Sequence, residues 1–105
     1  MLNVNDIFSQ GPNAVCDWLA ALQPGRAIDD MDVKELADIC WTRASTLAKV
    51  RAGEARKWGQ AALAGYEYLG RFGRAAAAES AHENAAALRS WRLLREVSPI
   101  NEATN

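Results

Sequence analysis

Val15, Trp18, Leu19 and Leu22 recur at the spacing of a helix with one apolar side, and Pro12 stands ahead of them. Proline is at ease at a helix start, where its missing N–H has no partner to lose, so the pattern predicts a helix over 12–22. Gln23-Pro24-Gly25 ends it, because a proline disfavours helical geometry in the residue before it and a glycine admits a tight turn. Ahead of Pro12, Asn5 or Asp6 is placed to cap a short helical turn through Ile7 and Phe8, closed by Gly11-Pro12.

The clearest start signal lies at Asp29, Asp30 and Asp32, where carboxylates suit the unpaired N–H groups and the positive end of a helix dipole. Val33, Leu36, Ala37, Cys40, Ala44, Leu47 and Ala48 follow on one face, which predicts a helix over 31–51. Ile39, Trp41 and Val50 lie off that face, so a second side of this helix is expected to be covered by the N-terminal helix or by another subunit. Ala52-Gly53-Glu54 reads as a turn rather than a soft spot in one helix, since a continuous helix over 31–70 would be about 40 residues against a norm of about 11 to 12. A third helix over 54–69 then carries Ala55, Trp58, Ala62, Tyr66 and Leu69; Gly70 closes it and Phe72 re-enters the core. A fourth, over 72–96, runs through Ala75, Ala78, Ala81, Ala85, Leu88, Trp91 and Leu94 to Ser98-Pro99. Its alanines leave room for close helix approach, while Trp58, Tyr66, Phe72 and Trp91 supply the large apolar surfaces. Four main helices in antiparallel hairpins make an all-α fold, with one helical domain over 1–98 and a flexible tail over 99–105. Residues 51–74 form the middle of the array.

Composition changes this picture little. A chain of 105 residues suffices for one self-supporting core. No apolar run approaches the roughly 18 to 20 residues of a membrane span, and the first residues carry neither a basic region nor an apolar core, so a cytoplasmic location is expected. Cys16, Cys40 and His82, the whole stock of cysteine and histidine, cannot furnish a four-ligand zinc site. The two cysteines read as buried thiols; their spacing leaves a disulfide open.

Charge is less even than the net value of −1 implies. Residues 1–38 hold seven acids against two bases, and residues 39–105 hold ten bases against six acids. The two parts attract, either within the domain or between copies.

The run Gly65-Tyr66-Glu67-Tyr68-Leu69-Gly70-Arg71-Phe72-Gly73-Arg74-Ala75 resembles the turn region of a tetratricopeptide repeat, in which a tyrosine, a Leu-Gly pair, an aromatic and a small alanine recur around the bend of a helix pair. Leu63, Glu79 and His82 depart from the pattern. A second register, with helices over 33–50, 55–69 and 72–95, resembles longer-period relatives of these repeats in bacterial regulators. The resemblance implies a concave helical surface for peptides or proteins and no catalysis, and fewer than three repeats favour a capped bundle or an oligomer.

Chemistry is sparse. Gly65, Gly70 and Gly73 follow no strand, so they form no phosphate-cradling loop. The serines share one possible base, His82, and Glu79 and Glu83 beside it read as solvated surface more readily than as an acid/base pair. No catalytic residue, cofactor or metal site is predicted. Ala77-Ala78-Glu79 with Leu88-Arg89-Ser90-Trp91-Arg92 faintly resembles a helix-turn-helix, and Arg89, Arg92 and Arg95 supply a basic edge; yet 80–84 holds no turn residue, which weighs against nucleic acid. Arg43, Lys49, Arg51, Arg56 and Lys57 instead cluster around the 51–54 turn with only Glu54 opposing them, a solubilising rim or a docking patch for an acidic partner. Trp41, off its helix's main face, joins them as a candidate interface residue, because tryptophan is enriched at binding hot spots. The expected function is a non-catalytic protein-protein interaction module (adaptor, small chaperone or oligomerising domain) whose partner is another protein or a second copy. The alternative is a small DNA-binding regulator.

Overall fold

A computed structural model describes residues 3–22 and 29–95. Every element in it is helical: α1 (Val4–Ser9), α2 (Pro12–Ala21), α3 (Asp30–Leu47), α4 (Ala52–Phe72), α5 (Ala75–Ser90) and α6 (Arg92–Arg95). The four long ones match the predicted helices in number and order. The turn at 23–25, the end of the fourth predicted helix at 96 and the tail at 99–105 lie outside the described residues. Among the described residues, no helix is long and apolar enough to cross a membrane.

The core is built on α4, which packs against α2, α3, α5 and α6. Its Ala55, Trp58, Ala61, Ala62, Tyr66 and Leu69 are buried, together with Gly59 and Gly65. Small residues at helix contacts let backbones approach closely, and larger neighbours fill the flanks. A methyl group built on Gly65 would stand 2.8 Å from Ala37 Cβ, so α3 and α4 touch nearly backbone to backbone there. Ala37 opposite Gly65, with Arg43 beside Trp58, fixes α3 and α4 as antiparallel. Gly70 opposite His82 and Gly59 opposite Trp91 do the same for α4 and α5. On the other side α2 lies parallel to α4, Pro12 near Gly53 and Leu22 near Phe72. Val15, Leu36, Leu69 and Leu88 are fully enclosed between these layers, each contributing roughly 1.5 to 3 kcal/mol by leaving water.

Local signals explain the helix starts. Asn3 caps α1 by accepting the N–H groups of Asn5 and Asp6 at 3.0 and 3.3 Å, so the cap stands before the predicted Asn5 or Asp6. Asp29 caps α3 through the Met31 N–H, and Pro12 opens α2 behind Gly11, whose φ of 104° suits only a residue without Cβ.

Four boundaries differ from the sequence reading. The break after α3 occupies 48–51 rather than 52–54: the Val50 and Arg51 N–H groups fold back onto Leu47 O, and Gly53 lies inside the first turn of α4. Glycine is tolerated there because it costs the helix only about 1 kcal/mol against alanine. At the other end α4 runs through Gly70, because His82 packs on the space a side chain would fill; it stops at Gly73, where a Cβ would meet Leu69 O at 2.6 Å. Phe72 consequently stays 43% exposed instead of re-entering the core. The fourth predicted helix begins at Ala75 and breaks at Trp91, whose extended backbone turns α6 back onto α4. There the Trp91 ring covers Gly59 and Arg56 Nε donates to Leu93 O at 3.1 Å. The periodicity of Leu88, Trp91 and Leu94 is that of a continuing helix; the docking on Gly59 overrides it.

Candidate functional site

Three of the predicted docking residues meet in space. Arg43 from the last turns of α3, with Arg56 and Lys57 from the first turns of α4, lines an open cleft of about 810 Å³ whose other walls include Pro12, Asn13, Glu54 and Trp58. Antiparallel packing of α3 on α4 produces this convergence, since it sets the end of one helix beside the start of the next. Arg43 and Lys57 are exposed and form no ion pair among the described residues. Arg56 is held in place by its bond to Leu93 O. Glu54 is the one carboxylate in the lining, 3.8 Å from Arg51.

The floor is aromatic and firm. Trp58 is buried, with its ring 4.7 Å from that of Phe8, so the cleft offers an apolar base beneath a cationic rim. The start of α2 adds to the same potential: Gly11, Pro12 and Asn13 border the cleft, Pro12 has no N–H, and no side chain caps the amides that follow. The positive end of a helix dipole beside three cationic side chains favours carboxylates over any neutral group.

The remaining predicted residues stand apart from the cleft. Lys49 and Arg51 are exposed in the 48–51 turn at the same end of the molecule. Trp41 is half-buried against Tyr66, ring centroids 5.9 Å apart and nearly perpendicular. The apolar spacing of α4 places Trp58 in the core, where it is buried; that the same ring also floors a cleft follows only from the placement of α2. Asn13 and Pro12 carried no functional signal in the sequence, because their role depends on a contact with residues some forty positions away.

Away from the cleft, toward the start of α3, lies a polar network. Tyr66 OH donates to Asp38, whose other oxygen accepts Lys34 Nζ at 2.7 Å. Burial, then this hydrogen bond, pushes the Tyr66 phenol well above its ordinary range. Burial, then the neighbouring Cys16, pushes the Cys40 thiol up to about 12; Cys16 is raised as well, by burial and then by Asp17. Both cysteines are free thiols. No group of three or more His, Cys, Asp or Glu gathers as a metal site among the described residues.

His82 and Tyr66 line a smaller depression of about 260 Å³, with Glu67 rather than Glu79 as its carboxylate. Glu67 is taken by Arg89 at 2.9 Å, and the Tyr66 hydroxyl by Asp38. Helix α5 runs unbroken through 80–84. No protein-family model matches the chain, and no curated protein or solved structure matches it either.

Proposed function

We propose that the chain is a non-catalytic protein-protein interaction module, an adaptor, small chaperone or oligomerising domain of the cytoplasm, which docks an acidic protein segment in the Arg43–Arg56–Lys57 cleft. The observation that carries this reading is the cleft itself: three cations from two helices against one carboxylate, over a buried tryptophan, at the uncapped start of a third helix. Carboxylates on a partner gain charge-assisted hydrogen bonds at such a rim, and an apolar side chain between them gains contact with the floor. The tetratricopeptide likeness supports the same reading, and the packing of α4 against both α3 and α5 is compatible with its helical hairpins. Free thiols at Cys16 and Cys40 agree with a reducing compartment.

The test is fluorescence anisotropy with a labelled glutamate-rich peptide carrying one central methionine. Binding is expected to weaken steeply with added salt and to disappear in Lys57→Glu, which reverses one rim charge at an exposed position. Equal binding by the wild type and Lys57→Glu would remove the cleft from the function.

A further inference from the structure

The cleft has a complement on the opposite end of the same helix. At the first turn of α3, Met31 is 67% exposed and stands between Asp30 and Asp32, with Asp29 before it. Two of these carboxylates are fixed: Asp29 Oδ1 accepts the Met31 N–H at 2.9 Å, and Asp30 Oδ2 accepts the Arg74 N–H at 2.8 Å. The second oxygen of each, and the whole Asp32 carboxylate, has no partner among the described residues. The result is an exposed apolar knob in an acidic collar. It matches the cleft in kind, methionine for the Trp58 floor and carboxylates for the Arg43 and Lys57 rim.

The knob cannot reach its own cleft. Met31 and Arg43 are 12 residues apart on the continuous helix α3, a separation of about 18 Å along its axis. The large apolar residues left exposed divide in the same way. Met31 and Phe72 stand at the end of the molecule where α3 begins and α4 finishes; Val50, 74% exposed, stands in the turn between α3 and α4 at the other end.

Resting on the docking reading above, we infer that the occupant of the cleft is the α3 start of a second copy of this chain, with Met31 directed at Trp58 and Asp30 and Asp32 paired with Arg43 and Lys57. The two surfaces lie at opposite ends of α3, so one end-to-end contact leaves a knob and a cleft unfilled and the association is head-to-tail. Each copy offers one free knob and one free cleft, and assembly continues into a ring or an open chain rather than closing as a symmetric dimer.

Light scattering and sedimentation on the purified chain test this with two surface variants, Met31→Lys, which spoils the knob, and Lys57→Glu, which spoils the cleft. Wild type is expected to assemble beyond a dimer at about 50 mM salt and to revert toward monomer at about 500 mM, where screening shortens to a few ångströms. Each variant alone stays monomeric. Mixed in equal amounts they form a dimer and nothing larger, because one variant keeps its cleft and the other its knob. A wild type that is monomeric at every concentration and salt overturns the inference, as does assembly that survives Met31→Lys. If the wild type is monomeric yet binds the glutamate-rich peptide through Lys57, the self-docking inference falls and the docking reading stands; if it neither assembles nor binds the peptide, both fall.

Discussion

Substituting Gly65→Ala sets two opposed effects against each other at a close contact between α3 and α4. In the interior of a helix, alanine is preferred to glycine by about 1 kcal/mol, because glycine surrenders more backbone freedom on folding. Against that, the added methyl would stand 2.8 Å from Ala37 Cβ and 3.5 Å from Ala37 Cα. Neither atom can rotate away, since both belong to the framework of α3, so the helices must part by several tenths of an ångström. Overpacking of this kind costs about 1 to 3 kcal/mol, and a rigid obstacle on the most extensive helix pair places the cost near the top of that range. The net expectation is a loss of about 1 to 2 kcal/mol, or roughly 5 to 15 °C in melting temperature for a domain of this size.

Gly53→Ala is the matched control. It sits in the first turn of the same helix with nothing within 4 Å of the new methyl, so it should be neutral or stabilise by up to about 1 kcal/mol. Urea unfolding followed by circular dichroism measures both. Ala37→Gly in the Gly65→Ala background removes the obstacle, and the double-mutant cycle should return a coupling of about 1 to 3 kcal/mol. If Gly65→Ala proves as stable as Gly53→Ala, the close α3–α4 approach is wrong.

Leu88→Ala empties a fully enclosed site on α5 and should cost about 2 to 5 kcal/mol in the same unfolding assay; a loss under about 1 kcal/mol would mean that α5 is not docked on α4. Stability should also fall on the alkaline side. The unfolded chain releases the Cys40 proton near the ordinary 9.0, whereas the folded chain holds it up to about 12. The buried Tyr66 phenol acts in the same sense. The unfolded state therefore binds fewer protons above the ordinary thiol value, so this contribution is complete below pH 9.0 and is lost as pH rises toward about 12. Urea midpoints measured across that window should decline, and Cys40→Ala should flatten part of the decline.

The four long helices and their order are legible in the local pattern of residues. Apolar spacing along α3 and α4, Pro12 at the start of α2 and the aspartates at 29 and 30 are local signals that act within a turn or two, and local signals suffice for elements of this length. The sequence also showed which residues were basic around the second turn, though not which of them would meet. Tertiary structure decided the points where a contact from far along the chain outweighed a local preference. Trp91 sits in register for a continuing helix, yet the surface it covers on Gly59 turns the chain; Phe72 looks like core, yet Gly73 stops α4 and leaves the ring outside. The cleft belongs to the same class of fact. Pro12, Arg43 and Lys57 become neighbours because α2 lies parallel and α3 antiparallel to α4, with Ala37 of α3 and Leu19 of α2 both packed at Gly65. Periodicity says which face of a helix is buried; only the packing of several faces at once says which of the remaining residues stand together.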